Sequence, residues 1–259
     1  MNIKEFISRF YEIKDEREKQ ISDIFSILSN FEQKIKNYDE QNIFDKKLIN
    51  ILLNHSIIIS ISNIQWFLED LLELVENYIV KNNIKIDKLN KKIYNLYYKK
   101  YNNDIIRDFL VYWENLFTKD LWIFIDRNKF ENVILKSWTS NTINFSTIKE
   151  MLSIILLDIN FIINNIEIEV WDYNDFIDKR IWNNYILKEK HKLKFYKKML
   201  DQLSVIRNEI AHWKILNEND ILYIYKLFNL NKKYFYSKFL LELSLFLKKS
   251  LIENRYFKK

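Results

Sequence analysis

The sequence predicts an all-α protein built as a bundle of long helices. Apolar residues recur at spacings of three and four along nearly all of its 259 residues. Proline lacks a backbone N–H and disrupts the interior of a helix, and the chain contains no proline. Because 48% of the residues are apolar and 29% are charged, the chain can bury a sizeable core and keep a charged surface.

Two long helices are predicted in the N-terminal part of the chain. The first covers residues 3–38, and a polar connector at 39–42 separates it from the second, at 45–81. The second helix carries His55 and Glu69 on a face that otherwise consists of core residues. This face either lines a site or holds a buried histidine that a neighbouring side chain satisfies, and the second interpretation is favoured.

The middle of the chain gives a more varied pattern. Residues 84–138 are rich in aromatic residues at helical spacing, which favours core packing in two or three short helices over a stacking platform for bases. An irregular stretch follows at 137–146, and residues 147–150 (Thr-Ile-Lys-Glu) have the pattern of a capping box that opens a helix. Residues 159–173 are β-branched and are compatible with a short strand pair or with a helix.

The C-terminal part is again helical. A strongly helical pattern covers residues 186–214, and a polar break follows at 217–219. Two more helices are predicted, at 220–230 and 232–255. The sequence contains no internal repeat and no low-complexity linker that would mark a domain boundary.

The composition excludes several classes of site. Without cysteine there is no disulfide, thiol nucleophile or cysteine-ligated metal. Without glycine there is no P-loop, dinucleotide fingerprint or nucleophile elbow, since these need backbone conformations that glycine adopts most readily. The chain has three histidines and no HExxH pattern, and the acidic residues Asp172, Asp175 and Asp178 lack the spacing of a calcium loop. We therefore expect neither a metal site nor a cofactor.

The sequence also bears on location and on the class of partner. The most apolar segment, at 51–80, is interrupted by polar residues and is too polar for a membrane span. Residues 1–9 are charged and lack the apolar core of a signal peptide. We therefore expect a cytoplasmic protein. The formal net charge of +6 permits a polyanionic partner without requiring one.

The excess positive charge is concentrated in residues 188–214. Eight basic and three acidic residues give this segment a net charge of +5. One side of the predicted helix is an apolar stripe that should face the core: Met199, Leu203, Ile206, Ile210 and Trp213. The positive charge is explained equally well by a solvated lysine-rich helix and by a helix that binds RNA. If RNA binds, we expect contacts from Lys194, Lys197, Lys198 and Lys214.

The side of this helix away from the stripe carries Arg207, Asn208 and His212, with the small residues Ser204 and Ala211 between them. With the stripe at the origin of a helical wheel, the three polar residues lie near ~100°, ~200° and ~240°. Arginine offers a fixed fork to a phosphate, histidine exchanges a proton near neutral pH, and asparagine can orient a neighbour. Together they suit phosphodiester chemistry, although an ordinary amphipathic helix would show the same spacing.

The string at 203–212, Leu-Ser-Val-Ile-Arg-Asn-Glu-Ile-Ala-His, resembles the signature of HEPN domains. In that signature an arginine precedes a polar residue, often asparagine, and a histidine follows after four to six residues; here these are Arg207, Asn208 and His212. A second, looser resemblance covers residues 55–78, including Glu69. It is similar to the early helix of RiboL-PSP-type and related stand-alone HEPN proteins.

The resemblance implies a HEPN-type helical bundle, usually dimeric, with metal-independent endoribonuclease activity in toxin–antitoxin or antiviral defence systems. Arg207 would hold the scissile phosphate and stabilise its growing charge. His212 would act as general acid or base while the ribose 2′-hydroxyl attacks, and Asn208 would position His212 or the phosphate. The implied partners are RNA, a second copy of the chain, and an antitoxin or another defence-system protein. Three further residues would support the site: Ser204, Ala211 and Glu69.

Two positions depart from the family pattern. Trp213 stands where the family commonly has glycine, and Lys214 stands where toxins silenced by nucleotidyltransferase antitoxins carry tyrosine. The two blocks together imply a HEPN-like domain at 44–259, with the helix of residues 1–43 packed on it and a helical insertion at about 84–185. Two alternatives remain open: a non-catalytic HEPN-fold module for RNA or nucleotide binding or for assembly, and a helical structural protein whose motif is coincidental.

Overall fold

The described part of the chain is helical, and no strand occurs in it. The all-α class predicted from the sequence is therefore confirmed. The predicted aromatic helices at 84–138 lie outside the described residues. The structure, a computed structural model, describes five stretches of the chain: 1–82, 143–155, 157–181, 186–212 and 218–252.

The helices follow one another in a simple order, separated by short connections where these are described. In sequence they are α1 (Ile3–Ser29), α2 (Glu32–Lys36), a 3-10 turn (Tyr38–Glu40), α3 (Ile43–Lys81), α4 (Phe145–Ile154), α5 (Ile159–Asn165), α6 (Val170–Ile177), α7 (Glu189–Ala211), α8 (Glu218–Leu230), a π-helix (Asn231–Phe239) and α9 (Leu240–Ile252). Their apolar faces form one hydrophobic core.

The first helix ends earlier than the sequence predicts, at Ser29. The chain bends there, and α2 and the 3-10 turn follow. The bend allows Ile35 and Tyr38 to be buried against the bundle. Asn50 of α3 donates to the Tyr38 hydroxyl at 3.0 Å, so the bent segment is held by a tertiary contact that helical periodicity cannot show.

Helices α1 and α3 lie side by side in opposite directions. The ring of Phe6, near the start of α1, meets that of Tyr78, near the end of α3, with centroids 5.5 Å apart. Farther along α1, Gln20 accepts a hydrogen bond from Asn63 of α3. α1 thus shares its core with the rest of the bundle. A domain division at residue 43 stays a prediction.

The expectation that residues 51–80 are too polar for a membrane span is not met, because helix α3 has the length and composition of one. Among the described residues, Ile43–Tyr78 is the single candidate, with a mean hydropathy of 1.3 in its most apolar stretch. Half of that stretch is buried inside the protein. Burial of this kind is what a core helix of a helical bundle requires.

Helices α4 to α6 come from the region predicted as an insertion, and all three contact α7. Residues 159–173, for which a strand pair and a helix were both open, form α5 and the start of α6. The predicted capping box at 147–150 is wrong. The capping residue is Asn144, whose Oδ1 accepts from the backbone N–H of Thr147 at 2.9 Å, because the helix begins one turn earlier.

Residues 218–252 form one continuous helix. Leu230 and Leu240, at the two ends of the π-helix, both have right-handed helical backbone angles, so α8, the π-helix and α9 follow without a break. The predicted separation of two helices near residue 231 is therefore wrong. A π-helix has more residues per turn than an α-helix, so consecutive residues diverge less in direction. The three consecutive aromatic residues at 234–236 are all buried in this π-helix, against which α1, α8 and α9 pack.

Candidate nucleic-acid site on helix α7

Helix α7 is covered by other helices on more of its circumference than the apolar stripe suggests. Met199, Leu203 and Ile206 are buried as predicted, and Ile210 is partly buried. Trp213 lies outside the described residues. The buried side also includes residues beyond the stripe, because α3, α5 and α6 all contact this helix. These are Lys192, Phe195, Tyr196, Leu200 and Ser204.

The ammonium groups of two lysines on α7 donate to backbone carbonyls of other helices. The ammonium of Lys192 donates to the carbonyl of Asn164 at 2.8 Å, and that of Lys198 donates to the carbonyl of Phe176 at 2.9 Å. Both carbonyls lie in the last turns of short helices, where no backbone N–H is available to them. Lys198 therefore contributes to holding the end of α6, and the RNA-binding role predicted for it stays a prediction.

The other lysines predicted to contact RNA are Lys194, Lys197 and Lys214. Lys194 and Lys197 are exposed on α7. Neither forms a hydrogen bond or an ion pair with any described residue. Both can therefore reach a polyanion without breaking a contact. Lys214 lies outside the described residues.

His191 lies on the side of α7 that packs against α6, away from the motif at 207–212. Its Nδ1 is 2.9 Å from the hydroxyl oxygen of Tyr173. Desolvation lowers the pKa of His191 below its ordinary value near 6.5, and the positive charges of Lys190 and Lys194 lower it further. The neutral imidazole is therefore the form that the folded protein favours.

This shift of pKa predicts a pH-dependent stability. Since the pKa of His191 is lower in the folded than in the unfolded protein, its contribution is present above about pH 6.5 and is lost as the pH falls. Thermal unfolding of the wild type and of His191→Gln at about pH 7.5 and about pH 5.5 tests this. We expect a smaller decrease of Tm in the variant. Carboxylate titration is common to both proteins, so an equal decrease would contradict the assignment.

The motif residues lie at the C-terminal end of α7. The guanidinium of Arg207 donates from Nη1 to Oδ1 of Asn208 at 3.2 Å, and both side chains are half-buried. His212 is exposed and ends the helix, with its backbone N–H bound to the carbonyls of Asn208 and Glu209. The exposed Ala211 leaves room beside it. Asn208 thus orients Arg207, and no described contact joins Arg207 to His212.

An open pocket of about 460 Å³ lies beside α7, where α4 begins. Oδ1 of Asp201 accepts from the backbone N–H of Phe145 at 3.0 Å, which fixes the start of α4 against α7. Asn208 and His212 follow Ser204 by one and two turns, so they lie near the same side of α7 as the pocket. Residues from both helices line it, including Phe145, Ser146, Lys149, Lys197, Asp201 and Ser204.

Two of the predicted supporting residues have other surroundings than expected. Ser204 is only 5% exposed, so it does not open the face between Arg207 and His212; it lines the pocket instead. Glu69 accepts from Gln65 of its own helix at 2.8 Å and has no described contact with the motif.

The favoured interpretation of a buried His55 is wrong, because this side of α3 faces away from the core. His55 is exposed, as are Ile51 and Trp66 on the same side of the helix. Periodicity identified a mixed face, but the helices that pack against α3 cover its other side.

The acidic residues near α6 have a structural role. Oδ2 of Asp172 accepts from the Tyr234 hydroxyl at 2.6 Å and from the Lys233 ammonium at 2.9 Å. Asp172 therefore joins α6 to the π-helix. Within the described ranges, no group of three histidine or acidic side chains is arranged to hold a metal ion.

The residues of α4 that line the pocket were not identified from the sequence. The Ser-, Thr- and Asn-rich composition of 137–146 indicated an irregular stretch, and Asn144 has the residue type of a helix cap. Nothing in the sequence shows that Phe145 and Asp201, which are far apart along the chain, form a hydrogen bond. Comparison with protein-family models, with curated proteins and with solved structures found no match for this chain.

Proposed function

We propose that this protein is a metal-independent endoribonuclease of the HEPN type. The observation that carries the proposal is the end of α7, where an exposed imidazole, His212, follows the hydrogen-bonded pair of Arg207 and Asn208. The exposed Lys194 and Lys197 on the same helix provide positive charge for a phosphate backbone. The resemblance of the motif supports a role in a toxin or antiviral defence system that acts on cytoplasmic RNA.

The proposed reaction uses the RNA's own 2′-hydroxyl as the nucleophile. Its oxygen attacks the adjacent phosphorus, and the new bond forms as the bond from phosphorus to the 5′-oxygen breaks. The products are a 2′,3′-cyclic phosphate and a free 5′-hydroxyl. Arg207 binds the non-bridging oxygens, whose negative charge grows in the transition state. Asn208 holds the guanidinium in place for this role.

The reaction needs two proton transfers. One group removes the proton of the 2′-hydroxyl, and another protonates the leaving 5′-oxygen. His212 supplies one of them. A second copy of the chain, meeting the first across the ends of the two α7 helices, would supply the other from its own His212. The exposed small residue Ala211 and Val205, which is 47% exposed, support such a close approach.

A second candidate function is RNA binding without cleavage. It is favoured by the hydrogen bond between Arg207 and Asn208, which occupies the amide oxygen and leaves His212 without a described side-chain partner to orient it. In this case the motif would hold RNA, or two copies of the chain, with no proton transfer.

The experiment is an RNA-cleavage assay on the purified chain in EDTA, with the ends of the products identified. We expect fragments that carry a 2′,3′-cyclic phosphate, and no fragments from Arg207→Ala or His212→Ala. Cleavage by both variants at the wild-type rate would show that the assignment is wrong. RNA that is bound but stays intact over a range of pH supports the second candidate.

A further inference from the structure

We propose that the pocket between the start of α4 and helix α7 binds one nucleotide of an RNA strand, next to the nucleotide pair cleaved at His212. The inference rests on the proposed function for its RNA ligand. The volume of the pocket, about 460 Å³, fits one nucleotide, since small-molecule sites occupy roughly 300–1,000 Å³.

The hydrogen-bonding groups in the pocket point to a ligand. Ser204 is 5% exposed, and its hydroxyl has no hydrogen-bond partner among the described residues. Because this hydroxyl lines the pocket without a protein partner, it is available to form a hydrogen bond with a ligand there. The backbone N–H of Ser146, in the first turn of α4, has no described partner either, whereas that of Phe145 is bound by Asp201.

The charges indicate how a nucleotide would be oriented. Lys149 and Lys197 line the pocket from α4 and α7, and neither forms an ion pair within the described part of the chain. With the free N–H of Ser146 at the positive end of the α4 dipole, they form a site for a phosphate group. Asp201 disfavours a phosphate beside it, but its carboxylate can accept a hydrogen bond from a ribose hydroxyl or a base amino group.

The apolar part of the pocket suits a base. The half-buried ring of Phe145 lies at one wall, and the exposed side chain of Val205 lies on α7. A nucleobase stacks on an aromatic ring whatever its identity. Since Ser204 and His212 are eight residues apart on α7, the pocket lies about 12 Å along the helix from the imidazole. This distance makes the bound nucleotide a neighbour of the reacting pair.

The test measures binding and not cleavage, with the His212→Ala protein so that RNA stays intact. The probes are adenosine 5′-monophosphate and a fluorescent single-stranded RNA of six nucleotides. We expect Lys149→Glu to weaken the binding of both probes by about tenfold or more, because it replaces a cation at the phosphate by an anion. The matched control is Lys19→Glu, which makes the same charge change at an exposed position of α1. It is expected to leave the affinity for adenosine 5′-monophosphate unchanged.

Amide chemical shifts give the location of binding. Adenosine 5′-monophosphate is expected to shift the backbone signals of Ser146 and Val205 in the wild-type protein. Equal losses in Lys149→Glu and Lys19→Glu, or no loss in either, would overturn the proposal. Binding of the mononucleotide without binding of RNA would overturn the assignment to an RNA strand. If the wild type binds RNA in this pocket but never cleaves it, the proposed endoribonuclease activity fails while the subsite stands.

Discussion

Replacement of Tyr234 by alanine is expected to lower the free energy of unfolding by about 3–5 kcal/mol, the range found for removal of a buried aromatic side chain. The ring is fully buried in the π-helix and packs edge-on against Phe195 of α7, with centroids 5.0 Å apart. The variant also leaves Asp172 without its hydroxyl donor and the backbone N–H of Glu169 without its acceptor. Chemical denaturation followed by circular dichroism measures the change.

Tyr234→Phe separates the ring from its hydroxyl. This variant keeps the packing against Phe195, so the loss should be limited to about 1–3 kcal/mol for the unsatisfied groups. Tyr223→Phe is a matched control on α8, since its ring stacks on Phe176 and its hydroxyl has no described hydrogen bond. A loss below about 1 kcal/mol in Tyr234→Ala would contradict the view that the π-helix aromatics are central to the core.

Replacement of His212 by alanine is expected to reduce the maximal rate of RNA cleavage by about 10²–10⁴-fold, the contribution typical of a general acid or base. His212 is exposed, and its described hydrogen bonds come from its backbone N–H alone. The variant should therefore unfold at the same temperature as the wild type and bind RNA with the same affinity. Single-turnover cleavage and a separate binding titration distinguish the two effects.

Arg207→Lys provides a comparison at the second motif position. Lysine keeps the positive charge but loses the fork that binds two phosphate oxygens and the hydrogen bond to Asn208. We expect cleavage to fall even though the net charge is unchanged. Arg207→Lys and His212→Ala could both cleave at the wild-type rate while Lys197→Ala abolishes RNA binding. In that case α7 would bind RNA, but its motif residues would not take part in catalysis.

The sequence by itself determined the helical class and the main long helices. Spacings of three and four residues are a local property of each helix, so α3 and α7 were located within a few residues of their ends. The buried side of α7 at Met199 and Leu203 followed from the same periodicity. The motif at 207–212 was also visible, since its residues are close together in the chain.

Only the tertiary structure decided which charged groups are free. Lys192 and Lys198 are residues of the type expected on a solvated helix face. Both nevertheless donate to carbonyls at the ends of α5 and α6. The wheel of α7 could not show this because the acceptors lie on other helices. Lys194 and Lys197, whose sequence surroundings are similar, stay exposed and form no hydrogen bond or ion pair with any described residue.

The tertiary structure also decided the surroundings of the motif and the continuity of the last helix. The pocket depends on the contact between Phe145 and Asp201, which are distant in sequence, so no local pattern predicts it. The π-helix depends on burial of Tyr234 and its neighbours against α7, which stabilises a backbone that local propensity does not favour. Local periodicity therefore determines where helices form, whereas contacts between distant residues determine which of their faces are available to bind a partner.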